Sequence, residues 1–150
     1  SHLQKQYKAE VIFGMEADDK LGIEQTTNTI ICSNDKDMRQ IPGLHYNFVK
    51  DELFEVTPLE GEQFLYKQIL MGDTADSVVG IRGIGPVKAE KIISPLLESE
   101  KMYEAVLEIY KKHYPEDAYS RLVKAGQLLK IKQTEGEGLW KPPKTSIVQD

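Results

Sequence analysis

Thr29-Ile30-Ile31-Cys32-Ser33-Asn34-Asp35-Lys36-Asp37 is the stretch on which the reading of this chain turns. Its first four residues are apolar or β-branched without interruption, the pattern of a strand in a parallel sheet covered on both faces. Two acids follow at once, and in open α/β sheets ligands gather at the carboxyl ends of strands. The same order occurs upstream, where Val11-Ile12-Phe13 reads as a buried strand and Glu16-Ala17-Asp18-Asp19 follows it. Asp19 to about Gln25 reads as a short helix joining the two strands. His45-Tyr46-Asn47-Phe48-Val49 alternates and predicts a third strand. The first half is therefore expected to be an α/β domain with a parallel sheet and both acidic clusters on one rim.

Downstream, Phe54-Glu55-Val56 leads to Thr57-Pro58, and Leu59 to Leu70 has helical periodicity. After Gly72 comes a third acidic cluster, Asp73-Thr74-Ala75-Asp76. Its two aspartates are three apart, so a helical turn would project both to one side. Glycine-punctuated turns follow, then helices. Pro86 opens one that runs to about Ile93, ahead of Pro95. Tyr103, Val106, Leu107 and Tyr110 fall on one helical face. Lys111, Lys112 and His113 sit in its last turn, where cations complement the dipole, and Pro115 ends it. Tyr119 to Ile131 reads as a further helix. Beyond Gln133 the chain is expected to be irregular, with Leu139-Trp140 as a packed anchor.

At 150 residues, 40% hydrophobic and 29% charged, the chain has the size and composition of one globular domain. No apolar run approaches the roughly 20 residues that span a bilayer, so no membrane partner is expected. A single cysteine, Cys32, excludes a disulfide framework and fits a reducing cytoplasm, that of a bacterial host if the source is a phage. The chain begins Ser1-His2-Leu3 without methionine, as an expression scar or a piece of a longer protein would. A net charge of −5 does not advertise nucleic-acid binding. Seven acids are clustered, however: Glu16, Asp18, Asp19, Asp35, Asp37, Asp73 and Asp76. Set aside as cation ligands, they leave fewer acids than the 19 basic residues.

Acids at a helix start commonly cap it or complement its dipole. Three such clusters, two at strand ends, point instead to hard divalent cations, since crowded carboxylates repel unless compensated. Mg²⁺ or Mn²⁺ prefers carboxylate and water oxygen and bridges to substrate phosphate. His2, His45 and His113 are scattered, so zinc-ligand spacing is absent. The other informative segment runs from Gly80 to Ala89. Gly83 and Gly85 around Ile84 permit a tight hairpin that approaches a ligand closely. Pro86 then opens a helix whose amino end offers N–H groups to a phosphate, with Lys88 in its first turn. Ile81 and Ile84 would plug the hairpin into the helices behind it. The alternative is a packing turn between helices. The segment lacks the P-loop pattern, and its contacts would read phosphate rather than base sequence.

The order of these motifs resembles the 5′-nuclease family of flap endonucleases, bacterial DNA polymerase I 5′-nuclease domains and phage 5′→3′ exonucleases, the last above all. The resemblance rests on Glu16-Ala17-Asp18-Asp19, on Ser33-Asn34-Asp35-Lys36-Asp37 with Gln40, and on Gly72-Asp73-Thr74-Ala75-Asp76 running into Gly80…Gly83-Ile84-Gly85…Lys88-Ala89. It covers roughly residues 10–95, and more loosely Gly126-Gln127-Leu128-Leu129 and Leu139-Trp140. It implies a parallel-sheet, PIN-like core fragment over residues 1–72. Residues 73–132 would form a helix–three-turn–helix and C-terminal helices, and 133–150 an irregular tail.

By this resemblance Glu16, Asp18 and Asp19 help hold a first metal, while Asp35, Asp37, Asp73 and Asp76 surround a second. The segment holding Arg82, Gly83, Ile84, Gly85 and Lys88 would grip duplex or flap DNA with a 5′ end. A potassium ion would sit on the hairpin carbonyls of Gly80–Gly85, and Lys88 would contact phosphate. Two Mg²⁺ or Mn²⁺ ions would drive an in-line phosphodiester displacement leaving 5′-phosphate and 3′-hydroxyl ends. Two departures stand out. Position 77 is Ser where the family usually has Asn. The family also opens with an Asp-bearing strand, a later metal-binding Asp and a basic arch, which the few residues before Glu10 cannot contain. A removed or separate N-terminal section would supply them. The alternative is a non-catalytic module that binds duplex DNA without sequence preference.

Overall fold

The computed structural model describes residues 16–144. Helix α1 (Ala17–Glu24) leads into strand β1 (Ile30–Cys32), then a 3₁₀ turn (Lys36–Gln40) and strands β2 (Gly43–Asn47) and β3 (Glu52–Val56). Helices α2 (Pro58–Met71), α3 (Pro86–Ile93), α4 (Ser99–His113) and α5 (Ala118–Leu129) follow. The chain is α/β, as expected. The strand expected at Val11–Phe13 lies outside the described residues.

The described sheet has the order β1-β2-β3. β1 pairs parallel with β2, Ile31 opposite His45, which is the expected parallel element. β2 and β3 add an antiparallel hairpin, His45 opposite Phe54. The third strand stops at Asn47 instead of reaching Val49. The Asn47 side chain accepts hydrogen bonds from the Val49 and Lys50 amides, both at 3.0 Å, and turns the chain. Buried His45 bonds the Ile41 carbonyl at 2.7 Å and stacks on Phe54, whose other neighbour is the Arg39 guanidinium. Burial, and then Arg39, hold His45 below its ordinary pKa of 6.5.

α2 begins where the sequence says it should. Thr57 and Glu60 form a reciprocal capping box ahead of Pro58. Leu65, Tyr66, Ile69 and Leu70 of this helix enter a core shared with Tyr103, Val106, Leu107 and Tyr110 of α4 and Leu122 and Leu129 of α5. The apolar face read from spacing in α4 is therefore a core face. Among the described residues a second, smaller cluster of Ile31, Met38, Ile41 and Ile131 draws on β1, the 3₁₀ turn and the segment after α5. α5 ends at Leu129 rather than Ile131, because the Ile131 amide donates to Gln40 Oε1 (2.9 Å) instead of continuing the helix.

Only half of the expected tail anchor packs. Trp140 meets Tyr66 edge-on at 6.2 Å, and a Cβ on Gly126 would overlap its ring. Leu139, adjacent to it, is 68% exposed.

Two buried tyrosines of α4 give opposite expectations. The Tyr110 hydroxyl donates to the Ile69 carbonyl at 2.6 Å, whereas the Tyr103 hydroxyl has no described partner. Burial raises the Tyr103 phenol to a pKa of about 12. Tyr103→Phe should stabilise the protein or leave it unchanged. Tyr110→Phe should cost about 1–2 kcal/mol by orphaning a buried carbonyl. Paired denaturant titrations of the two variants check the contrast.

Candidate functional site

The acidic residues converge through three local devices. The 3₁₀ turn places Asp35 and Asp37 beyond β1: Asp35 caps it, its Oδ1 accepting the Asp37 amide at 2.9 Å, with Ser33 Oγ accepting the Asp35 amide. The start of α1 presents Asp18 and Asp19, and Glu16 stands at its cap. Asp19 Oδ1 accepts the Lys132 amide at 2.8 Å, which ties α1 to the strand of chain leaving α5.

The third cluster is not a helical turn. Asp73 and Val78 exchange both backbone hydrogen bonds at 2.8 Å, which closes residues 73–78 into a small loop. Asp73 Oδ1 caps the Ala75 amide at 2.9 Å, and Ser77 takes a positive φ of 59°. The loop still sets Asp73 and Asp76 on one side.

The outcome is one cavity of about 280 Å³ whose walls include Glu16, Asp18, Asp19, Asp35, Asp37 and Asp76. Asp73 lines the adjoining depression with Lys36. Carboxylate oxygens of Asp37, Asp73 and Asp76 all lie within 4.8 Å of one another. Asp35, Glu16, Asp18 and Asp19 stand outside that trio.

The crowding has an electrostatic cost. Partial burial, then Asp35, Glu16, Asp37 and Asp19, push the Asp18 carboxyl above its ordinary value. Partial burial, then Asp73, Glu16 and Asp37, do the same to Asp76, against a lowering by Lys36. Lys36 is the site's internal counter-ion: its Nζ lies 2.9 Å from Asp37 and 3.6 Å from Asp73, and its own pKa is raised, chiefly by the bond to Asp37.

Two residues of the site carry no weight in the sequence reading. Gln68, buried in α2, donates to Asp37 Oδ1 at 2.9 Å and accepts from Gln40 Nε2 at 2.6 Å. A glutamine on an otherwise apolar helix face (Leu65, Ile69) is the signal that could have found it. Lys36 was legible only as the spacer between two aspartates.

The glycine-rich segment folds as a turn held by Ile81, Arg82, Gly83 and Ile84, with the Ile84 amide donating to the Ile81 carbonyl at 3.2 Å. Gly83 has φ 87°, a conformation that favours glycine there. Ile81 is buried and Ile84 packs on the same core, so both plug the turn into the helices. Gly85 caps α3 without a side-chain bond, so α3's first-turn amides face outward with Lys88 and Arg82, both exposed. The Gly80 carbonyl accepts the Tyr114 hydroxyl at 2.7 Å, while those of Arg82 and Gly83 accept from no described residue.

The chain is 32% identical over 111 residues to DNA polymerase I of Rhizobium leguminosarum, a match over 64% of this chain and 11% of that protein. It is 29% identical over 83 residues to DNA polymerase I of Deinococcus radiodurans, over 50% of this chain and 9% of its relative. The resemblance is to the 5′-nuclease family. The chain spans about a tenth of the length of these curated relatives. Among solved structures, a T5 5′-exonuclease mutant aligns with 21% identity and a TM-score of 0.48, over 79% of this chain and 53% of the other. A T5 protein co-crystallised with metal ions aligns with 18% identity and a TM-score of 0.49, over 80% and 56%. No protein-family profile matches the chain.

Two expectations follow from the geometry of the carboxylate site. Folding raises the Asp76 pKa above 3.8, so the folded state binds this proton more tightly than the unfolded one. The resulting destabilisation is complete above the raised value and vanishes as pH falls below 3.8. Asp76→Asn should therefore raise the melting temperature at neutral pH without metal, while weakening Mn²⁺ binding. Thermal melts and metal titration of the same variant read both effects. Ser77 holds a left-handed conformation that Asn adopts more readily, so Ser77→Asn should add roughly 0.5–1 kcal/mol of stability. Denaturant unfolding measures it.

Proposed function

We propose that this chain is part of a divalent-metal-dependent nuclease that hydrolyses DNA phosphodiester bonds from a 5′ end, as a 5′→3′ exonuclease or a flap endonuclease. The observation that carries the reading is the convergence of carboxylates from three separate segments on one cavity and its adjoining depression. An all-oxygen donor set, two members of which are pushed toward their neutral form by burial and by like charges, fits hard cations such as Mg²⁺ or Mn²⁺. Asp37, Asp73 and Asp76 would hold one ion, with Asp35 beside them. Glu16, Asp18 and Asp19 would contribute to a second. Bound there, two such ions would lower the pKa of a water and stabilise the attacking and leaving oxygens of an in-line displacement.

The chain's own groups prepare the site. Gln68 fixes the Asp37 carboxylate, and Asp35 fixes the turn that carries it. Lys36 neutralises Asp37 and Asp73 and has to withdraw for a cation to take its place. The first turn of α3, with Lys88 and Arg82, would grip duplex phosphates without reading bases. The free carbonyls of Arg82 and Gly83 suit a monovalent cation such as K⁺ between the hairpin and a phosphate.

A second reading has its own support. Among the described residues only Asp37, Asp73 and Asp76 form a three-carboxylate cluster of metal-binding closeness. That favours a non-catalytic duplex-binding module with one filled ion site.

Incubation of the chain with 5′-labelled duplex and flap DNA, with and without Mg²⁺, separates the two readings. The nuclease reading expects metal-dependent cleavage that Asp35→Asn abolishes. Binding without cleavage selects the module. Under both readings Lys88→Ala should weaken DNA binding uniformly across sequences and lower the salt slope by about 1. Anisotropy titrations that show Lys88→Ala unchanged would remove this residue from the interface.

A further inference from the structure

Beside the acid cavity, across residues 75–77 and Leu128, lies a second cavity of about 190 Å³ with the opposite charge. Leu128 lines both. The second cavity is walled by Ser77, Val78, Val79, Gly80, Tyr114, Arg121 and Lys124, and among the described residues no carboxylate lines it. Arg121 is held in place from two sides. Its guanidinium carbon stacks 4.3 Å from the Tyr114 ring centroid, and its Nε donates to Asp117 at 2.9 Å, which leaves its terminal nitrogens free to donate elsewhere. Tyr114 is fixed in turn by its bond to the Gly80 carbonyl. Lys124, one helical turn on, has no ion-pair partner among the described residues, although the chain carries a net charge of −5. The amides of Val79 and Gly80 donate to no described backbone carbonyl either. Two cations, a serine and two residues with unspent amides thus line a pocket large enough for a phosphate group.

We propose that this pocket is a phosphate-binding subsite for the DNA strand, seating a phosphodiester between the glycine turn at Gly80–Gly85 and the acid cavity. The proposal rests on the nucleic-acid reading above and extends it with residues of α5 that neither the motifs nor the comparisons assign. An acidic cavity alone repels a polyanion. A basic pocket on its rim would hold the backbone in register while cations occupy the carboxylates, and the fork of Arg121 suits the oxygens of one phosphate.

The test is anisotropy titration of the full chain with labelled duplex and flap DNA in Ca²⁺, across a range of salt. Lys124→Ala and Arg121→Gln are compared with wild type, Lys124→Arg and Lys88→Ala. Mn²⁺ titration and thermal melts of each variant separate lost contacts from lost structure. Each of the first two variants should lower the slope of log affinity against log salt by about 1. The affinity ratio between 50 and 200 mM salt would then shrink by about fourfold. Lys124→Arg should restore the slope, with Mn²⁺ binding unchanged throughout. Wild-type slope in both pocket variants, with a reduced slope in Lys88→Ala, overturns the subsite and leaves the nucleic-acid reading standing. Absence of DNA binding by the wild-type chain overturns both.

Discussion

Gln40 is the residue through which the two halves of this structure hold each other. Buried at the end of the 3₁₀ turn, it donates to Gln68 of α2 at 2.6 Å and to the Leu129 carbonyl of α5 at 2.7 Å, and it accepts the Ile131 amide at 2.9 Å. Its own carbonyl takes a bond from Gln133 at 3.2 Å. One side chain thereby ends α5, fixes the segment that follows it and orients Gln68 toward Asp37. A buried polar group of this kind is costly if any bond is missing, so all the partners are constrained together. The acid cavity is the space this arrangement encloses: its walls are the acid-bearing segments on one side and residues 127–132 on the other.

Electrostatics at the cavity pull against that framework. Asp37 and Asp73 are offset by Lys36, Asp35 by a backbone amide, and Asp19 by the Lys132 amide. Asp18 and Asp76 have no hydrogen bond from the described residues, and both are pushed toward their neutral form by burial and neighbouring carboxylates. Stability alone would not favour two partly buried acids of this kind. Their presence argues for a ligand of opposite charge more directly than the count of acids does.

Much of the fold was legible in the sequence where a local rule dominates. Thr57-Pro58, Pro86 and the Tyr103–Tyr110 face marked α2, α3 and α4 because capping, proline geometry and 3.6-residue spacing act over a few residues. The antiparallel β2–β3 hairpin, the loop at 73–78 and the end of α5 were not legible. Each depends on a bond between residues whose pairing no periodicity encodes: Asn47 to the following amides, Asp73 to Val78, and Gln40 to Ile131. The acidic residues could be read because their chemistry is unusual at any position. Lys36 and Gln68 act on those acids only through tertiary geometry. The Arg121–Lys124 pocket was hidden for the same reason, since on α5 those residues look like ordinary solvated charges.

The unequal size of the two apolar clusters has a consequence for motion. The helical half shares a core that runs from Leu65 to Leu129, whereas among the described residues the cluster that includes β1 holds only Ile31, Met38, Ile41 and Ile131. Local opening requires least free energy where least apolar surface is buried. Among the described residues the sheet and its 3₁₀ turn should therefore breathe ahead of the helices. A cation bridging Asp37 to Asp73 would tether the thin layer to the thick one, so the site would act as a fastener between two parts of unequal rigidity.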